Sequence, residues 1–300
     1  MSSIRVNPFP LPDLLAALEQ LQQQTANTTL ELATGSSINK PSDNPAGAAQ
    51  VIRLNELSSQ ADSFQSSIGS INGQFSTADS TLSTVVSTLQ SALSLGVEAA
   101  GGTLSASQLA DIATQLTGIQ SQLLSLANTS HQGNYIFAGS AIAQPFVLDP
   151  MQTSGVRYTG NTDTNKVTIG AGYQLQVNLP GSQVFGLGNA TGDMFQAIND
   201  LITSVQNDTG IPGAVTEINT ALNAVTTQRT FYDDGMNQAQ SQQTYLNSQS
   251  LSLTQQLNTV TAANFAVLAS QLETEQTAQT ATLEAIAKTT PQSSLFDYLK

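Results

Sequence analysis

The longest pattern in the sequence is an unbroken apolar stripe. Its residues recur at alternating spacings of three and four: Leu54, Leu57, Ala61, Phe64, Ile68, Ile71, Phe75, Ala78, Leu82, Val85, Leu89 and Ala92. This spacing keeps all of them on one face of an α-helix. Asn44 before Pro45 is typical of a helix start, and Gly101-Gly102 of a helix end. We expect one helix from about residue 45 to 98, roughly 80 Å long, which must lie against other long helices to bury so narrow a stripe.

Two shorter segments repeat the same alternation. The first is closed by Gly35 and comprises Leu14, Leu18, Leu21, Thr25, Thr28 and Leu32. The second follows a capping-box pattern at Ser105 and Gln108 and comprises Leu109, Ile112, Leu116, Ile119, Leu123 and Leu126. Because only a short glycine-rich turn separates this second helix from the long one, we expect the two to be antiparallel neighbours.

The middle of the chain changes pattern. Short β-like runs separated by glycine, asparagine and aspartate turns occur at 135–137, 145–148, 156–159, 166–169 and 173–179. In the last run, alternate residues are apolar, as in a strand with one buried face. These runs predict a small antiparallel β insertion of about 55 residues.

Helical patterns resume after the β-like runs. Asp193 precedes a short apolar helix, and Pro212 and Gly213 are expected to start a long one that continues to about residue 288. Its stripe includes Leu246, Leu253, Leu257 and Val260, and a second stripe on another face comprises Phe265, Leu268 and Leu272. Two stripes indicate two sets of neighbours. A break between 258 and 264 is consistent with them, but periodicity does not place it.

We therefore predict a mainly α fold with a small β insertion. The N- and C-terminal segments are expected to form a long antiparallel coiled-coil or helical-bundle rod, with a central antiparallel β domain. The predicted domains are a terminal coiled coil (1–42 and 258–300), a helical rod (43–134 and 191–257) and the β domain (135–190). Residues 1–40 and about 260–300 are expected to be poorly ordered in a free monomer, because their stripes would face partners present only after assembly.

Composition excludes several function classes. The chain has no Cys and one His, so thiolate metal sites, cysteine nucleophiles and multi-histidine metal sites are impossible. Eight basic residues against 21 acidic ones cannot build a surface that neutralises nucleic-acid phosphates. No run of 18 apolar residues predicts a membrane span, and Pro8, Pro10 and Pro12 interrupt any candidate signal peptide. We expect a protein that either stays in the cytosol or leaves the cell without a cleaved signal.

Candidate catalytic residues are few. His131, the single histidine, adjoins Ser130, but sequence neighbours do not supply the geometry of a nucleophilic triad, and a histidine in a turn is the simpler interpretation. Asp233-Asp234 is a paired acid in a polar helix, where a solvated face explains it and a cation site is the alternative. We predict no catalysis, no cofactor and no metal.

The polar flanks of the stripes point to assembly instead. Only 10% of residues are charged, and the flanks are mostly Ser, Thr, Gln and Asn. Neutral polar faces can pack against further helices without burying unpaired charges. We therefore favour a self-assembling protein over a monomeric bundle with an unusual surface.

Residues 32–54, LATGSSINKPSDNPAGAAQVIRL, resemble the N-terminal signature of the bacterial flagellin superfamily. The matching positions include Asn39, Asp43 and Pro45. The C-terminal helix with Asn264-Phe-Ala266 resembles the other characteristic end of that superfamily. Within it, the stretch 123–146, the Val-Arg-Tyr-Thr-Gly strand and the ending with Leu295 and Leu299 resemble the members that join the flagellar hook to the filament rather than flagellin itself.

This resemblance implies a structural axial component of the extracellular flagellum, polymerised into a ring through coiled-coil terminal helices. Its implied partners are further copies of itself, hook-associated protein 1, flagellin and an export chaperone on the C-terminal helix. Type III export without a cleaved signal is also implied. The alternatives are a minor flagellin that forms the filament itself, or a secreted coiled-coil adhesin or effector.

Overall fold

Helices form where the apolar stripes predict them. A computed structural model describes residues 11–188 and 192–289 of the chain. The described helices are α1 (Leu11–Thr34), α2 (Pro45–Ala100), α3 (Ala106–Ala127), α4 (Gly181–Val184), α5 (Met194–Gln206), α6 (Ile211–Thr261) and α7 (Phe265–Thr289). The described strands are β1 (Ser130–His131), β2 (Asn134–Tyr135), β3 (Phe146–Leu148), β4 (Val156–Tyr158), β5 (Lys166–Gly170) and β6 (Tyr173–Gln176). The predicted mainly α fold with small antiparallel β elements is confirmed.

Side-chain caps fix three helix starts. The Asn44 side-chain oxygen accepts a hydrogen bond from the Gly47 amide at 2.9 Å, so α2 begins at Pro45 as predicted. Ser105 and Gln108 form the predicted capping box at the start of α3. Asp193 accepts hydrogen bonds from two amides in the first turn of α5. Each cap satisfies amides that have no partner within the helix.

The segment predicted as one last long helix forms two helices, α6 and α7, separated by a short non-helical segment. Residues 262–264 lie outside both, and the Asn264 side chain accepts a hydrogen bond from the Val267 amide to start α7. The start of α6 also differs from the expected Pro212-Gly213, since the helix begins at Ile211. Proline is tolerated there because first-turn amides need no helical partner.

The β segment contains three separate antiparallel hairpins instead of one sheet. β1 pairs with β2, β3 with β4, and β5 with β6. The predicted run at 135–137 contributes only its first residue to a strand, since Phe137 lies in a turn with its side chain fully buried. β6 likewise ends at Gln176. Such short strands gain stability from packing against helices, because an isolated two-stranded hairpin is marginal in water.

Of the described residues, 11–59 and 250–289 belong to one of two compact units. Within it, α1 packs along α7. The pairing is antiparallel, since Thr25 contacts Gln279 and Thr28 contacts Glu275. Glycine aside, the buried side chains described in this unit are few: Thr28, Leu54, Leu253, Leu268 and Glu275. Little apolar area therefore holds this unit together.

The second unit, Gln60–Gln249, has a continuous hydrophobic core. α3 packs against α5, and residues of α2 from Ile68 to Ala92 supply fully buried side chains. An aromatic group of Phe137, Phe146, Phe185 and Phe195 fills the space under the hairpins, with the rings of Phe137 and Phe185 5.1 Å apart between centroids. Most of the apolar area that the described chain buries lies here.

Candidate assembly surfaces

The stripe on α1 is only partly covered by α7. Leu14, Leu18, Leu21 and Leu32 are half-buried, and Thr28 is the one buried residue of the helix. On α7, Leu268 is buried, Leu272 is half-buried and Phe265 is exposed. The apolar side chains of this helix pair therefore remain partly accessible to solvent, and a further helix could cover them.

Hydrogen bonds cross the same helix pair. The Thr28 hydroxyl donates to Glu275 Oε1 at 3.1 Å, and the Gln271 amide donates to the same oxygen at 3.2 Å. One turn away, the Gln279 amide donates to Thr25 Oγ1 at 3.0 Å. Glu275 Oε2 is buried without a hydrogen-bond partner among the described residues. The seam between these helices thus contains polar layers between its apolar ones.

A backbone bridge ties the loop after α1 to the break before α7. Ser36 and Ala262 form an isolated antiparallel bridge. The Ser37 amide donates to the Thr261 carbonyl at 2.7 Å, and the Ala263 amide donates to the Gly35 carbonyl at 3.0 Å. The loop after α1 and the segment between α6 and α7 therefore supply hydrogen-bond partners for each other's backbone groups. These groups lie at or beyond the helix ends, where the helices provide no partner.

The family-motif residues stabilise that loop. The Asp43 carboxylate accepts hydrogen bonds from the amides of Lys40 and Asn39. These backbone hydrogen bonds, with the one from Lys40 the larger, hold the pKa of Asp43 below its ordinary value. The Asn39 side chain donates to the Ser36 carbonyl, and Pro45 opens α2. The predicted motif residues Leu295 and Leu299 lie outside the described residues.

Large apolar side chains remain exposed in the unit built from the chain's ends. Phe265 and Val267 are each 56% exposed, and Ile52 is 59% exposed. The others of this set are Leu15, Leu30, Leu57, Leu251 and Leu283. Single exposed apolar residues are ordinary, but a concentration of them in a unit with so small a core marks a candidate contact surface.

Most predicted stripe residues of the second unit lie in its core. Ile68, Ile71, Phe75, Leu82, Val85 and Leu89 on α2, Leu109, Ile112, Leu116 and Leu123 on α3, and Leu246 on α6 are buried. Phe64 and Ile119 are half-buried. Of the α2 and α6 residues in the first unit, Leu54 and Leu253 are buried, Leu257 and Val260 are half-buried, and Leu57 is exposed. The α2 stripe is thus most deeply covered in the second unit.

His131 has a structural environment. Its Nδ1 lies 3.0 Å from the Thr77 hydroxyl, which itself donates to the Gly73 carbonyl at 2.8 Å. The hydroxyl therefore accepts from Nδ1–H, in the place where a triad would have a carboxylate. His131 Nε2 is buried without a partner among the described residues. This arrangement attaches β1 to α2 and lacks the geometry of an activated nucleophile.

Asp233 and Asp234 are both exposed on α6. Within residues 11–188 and 192–289, no three His, Asp or Glu side chains lie close enough together to hold a metal ion. No helix in this part of the chain combines the length and apolar character needed to cross a membrane.

Two polar features of the structure were not predicted from the sequence. Glu275 continues the spacing of four, three and four through Leu268, Leu272 and Gln279, which could have identified it as a buried acid. Arg229 on α6 pairs with Asp79 on α2, with an Nη2 to Oδ2 distance of 3.2 Å. The hydrogen bonds that Arg229 donates to the Asp79 carboxylate raise the pKa of Arg229 above its ordinary value. Only the tertiary fold brings this pair together, and no sequence pattern predicts it.

Comparison with known proteins finds similarity to flagellar proteins. Residues 13–141 match the bacterial flagellin N-terminal helical region. Flagellar hook-associated protein 3 of Escherichia coli is 27% identical over 156 residues, 52% of this chain and 48% of that protein. The protein of the same name from Salmonella typhimurium is 30% identical over 157 residues, with the same coverage. The chain thus spans about half the length of the curated relatives it matches.

Solved structures share the fold. A flagellar hook-associated protein of Vibrio parahaemolyticus superposes with a TM-score of 0.67 at 17% identity, covering 73% of this chain and 99% of that one. Flagellar hook-associated protein-3 of Legionella pneumophila gives a TM-score of 0.62 at 14% identity, covering 70% and 99%. FlgL of Bacillus cereus gives 0.59 at 22% identity, covering 69% and 99%.

The family match, the two curated relatives and the solved structures that share the fold are all flagellar proteins. The chain is therefore similar to the flagellin N-terminal helical region over residues 13–141, and to flagellar hook-associated protein 3 over about half of its length.

Proposed function

We propose that this chain is a structural axial component of the bacterial flagellum that joins the hook to the filament. The observation that carries the proposal is its similarity to flagellar hook-associated protein 3 from two species, over about half of the chain in each case. The residues that match the flagellin N-terminal helical region, 13–141, include the 56-residue helix α2, whose length suits a role in assembly.

Exposed apolar surface supports assembly through the chain's ends. Phe265, Val267, Ile52 and Leu251 are each more than half exposed in the unit with the smaller core. Covering apolar surface gains roughly 25 cal/mol per Å². Contact with neighbouring subunits would recover this energy, and we propose that further copies of the same chain, arranged in a ring, provide it.

The neutral character of the helices supports the same conclusion. Only 10% of the residues are charged, and many exposed Ser and Thr hydroxyls donate to carbonyls of their own helix, as Ser87 and Thr84 do. Such faces carry few charges that contact would desolvate. Helices of this kind can pack laterally at low electrostatic cost.

Partners and location follow from the proposed role. The chain would contact hook-associated protein 1 on the hook side and flagellin on the filament side, and it would lie in the extracellular flagellum. Export without a cleaved signal would precede assembly, with a chaperone on the C-terminal helix. We also propose that the chain is divided into a terminal coiled coil (1–42 and 258–300), a rod (43–134 and 191–257) and a β domain (135–190).

The proposed role requires no catalysis. His131, the one histidine, has its Nδ1 3.0 Å from the Thr77 hydroxyl, and its ring lies beside Gly73. We expect a His131→Ala variant to support filament attachment as the parent does. A variant that is folded and secreted but leaves hooks without filaments would contradict a purely structural role for this residue.

Deleting the gene tests the proposed function. We expect hooks without filaments and unattached flagellin in the medium, with both defects reversed when the gene is restored. Normal filaments on the deletion strain would overturn the proposal. A minor flagellin, favoured by the match to the flagellin helical region, would be indicated if the purified protein alone polymerised into filaments of flagellar length.

A further inference from the structure

We propose that two polar layers between α1 and α7 fix the register in which the chain's ends pair. The inner layer joins Thr28 to Glu275, and the outer layer joins Thr25 to Gln279. The inference concerns the pairing of two helices in one chain, and it holds whether or not the protein joins hook to filament.

The inner layer is deeply buried for a polar contact. Thr28 is 3% exposed and Glu275 is 6% exposed. Glu275 Oε1 accepts hydrogen bonds from Thr28 and from Gln271, one turn earlier on α7. A carboxylate in such a position is costly unless a donor reaches it, so the location of the Thr28 hydroxyl matters to the energy of the pair.

The outer layer repeats this arrangement with neutral groups. Thr25 Oγ1 accepts from Gln279, while its own hydrogen goes to the Leu21 carbonyl on its own helix. Both hydrogen-bonding functions of this hydroxyl are therefore used. The two layers are spaced by three residues on α1 and four on α7, which matches the alternation of a coiled-coil seam.

A shift of the helices past each other breaks these layers. Moving α7 by one heptad toward the start of α1 places Glu275 opposite Leu21, which has no side-chain donor. A shift of half a heptad keeps a threonine opposite Glu275 but places Gln279 opposite Leu21. Apolar residues of similar size tolerate either shift, whereas a buried polar group left without its partner does not.

The backbone bridge is the competing determinant of register. It joins Ser36 to Ala262, close to one end of the helix pair. A shift of seven residues would break this bridge as well as the polar layers. The experiment must therefore ask whether the pair stays in register when the layers are removed and the bridge residues are unchanged.

Disulfide trapping in the 300-residue chain answers this, because the chain contains no cysteine of its own. Leu32→Cys with Leu272→Cys reports the observed register, and Leu32→Cys with Phe265→Cys reports the heptad shift. These targets lie seven residues apart on α7, about 10 Å of helix rise, which is beyond the reach of one disulfide. Leu21→Cys with Thr282→Cys is a second in-register pair, independent of the first.

Each pair is oxidised in three backgrounds: the parent, a seam variant and a surface control. The seam variant removes both layers through Thr25→Val, Thr28→Val, Glu275→Leu and Gln279→Leu. The surface control makes the same kinds of change at exposed positions of the same two helices, Thr29→Val, Thr277→Val, Glu273→Leu and Gln276→Leu. Circular dichroism checks that every variant retains its helix content.

We expect the parent and the surface control to form only the in-register disulfides. The seam variant should form the shifted disulfide at least roughly tenfold faster than the parent. Glu275→Gln, which keeps an acceptor at Oε1, should behave as the parent. If the seam variant forms no shifted disulfide, the bridge sets the register and the proposal is wrong. Failure of both in-register pairs in the parent would also overturn it.

Discussion

Gly235 on α6 lies against the ring of Phe75 on α2, and a Cβ at this glycine would come within 2.5 Å of the ring's Cε2 atom. Phe75 is fully buried and also contacts Tyr232, with ring centroids 5.8 Å apart in an edge-to-face arrangement. The ring therefore has little room to move. The glycine allows α2 and α6 to approach at this point.

Gly235→Ala should destabilise the protein by about 1 kcal/mol. Overpacking a tight core costs ~1–3 kcal/mol, and alanine returns roughly 1 kcal/mol through its higher helix propensity. Gly118→Ala is the matched control, because nothing lies within 4 Å of a Cβ there, and it should stabilise α3 by up to about 1 kcal/mol. Urea unfolding followed by circular dichroism measures both. Equal stabilisation by the two alanines would show that Phe75 does not constrain position 235.

Ile71→Asp should destabilise the protein by about 3 kcal/mol or more, because it buries an unpaired charge. Ile71 is 4% exposed on α2 and belongs to the hydrophobic core of the second unit. Ser70→Asp, at the exposed neighbouring position, should change stability by no more than about 0.5 kcal/mol. Thermal unfolding of the two variants compares them directly. A melting temperature for Ile71→Asp equal to that of the parent would show that Ile71 is not part of the core.

Asp193→Asn should be more stabilising at neutral pH than at acid pH. Burial raises the pKa of Asp193 above its ordinary value of 3.8, although three backbone amides oppose the shift. Because its pKa is higher in the folded state than in the unfolded state, this carboxyl contributes most to stability when it is protonated, below its unfolded-state pKa. That contribution is lost as the pH rises through its folded-state pKa. Asparagine keeps the helix cap without the charge.

The test is denaturant unfolding of the parent and of Asp193→Asn from about pH 3 to pH 7, spanning the ordinary carboxyl pKa. The difference in unfolding free energy should move in favour of asparagine as pH rises above 3.8. Asp193→Ala should lose about 1 kcal/mol through loss of the cap. Asp111→Asn, at an exposed position on α3, is the control for a general charge effect. A difference independent of pH would contradict the buried-carboxylate explanation.

The sequence predicted features that depend on nearby residues. The caps at Asn44, Ser105 and Asp193 bond to amides two or three residues away, so their motifs were sufficient to place the helix starts. The long apolar stripe of α2 was sufficient to predict its length, because a helix repeats one geometry at every turn.

Features that depend on distant residues were not predictable in this way. The break after α6 is stabilised by the loop after α1, and Ser37 and Thr261 are separated by 224 residues in the sequence. The pairing of Thr28 with Glu275 joins residues 247 apart. A polar residue at an apolar position signals a break, a cap or a buried contact equally well, and only the partner distinguishes these cases.

The two units should differ in the rate of amide hydrogen exchange in the monomeric protein. α1 has a single buried residue, Thr28, whereas α2 between Ile68 and Leu89 has buried residues at every turn. Segments with few buried contacts open locally at lower free energy. We expect the amides of α1 and α7 to exchange much faster than those of α2 in this range.

Assembly into a polymer should then selectively slow amide exchange in α1 and α7, because neighbouring subunits would cover their exposed apolar side chains. Equal protection of α1 and α2 in the monomer would show that α7 alone is sufficient to hold α1 in place.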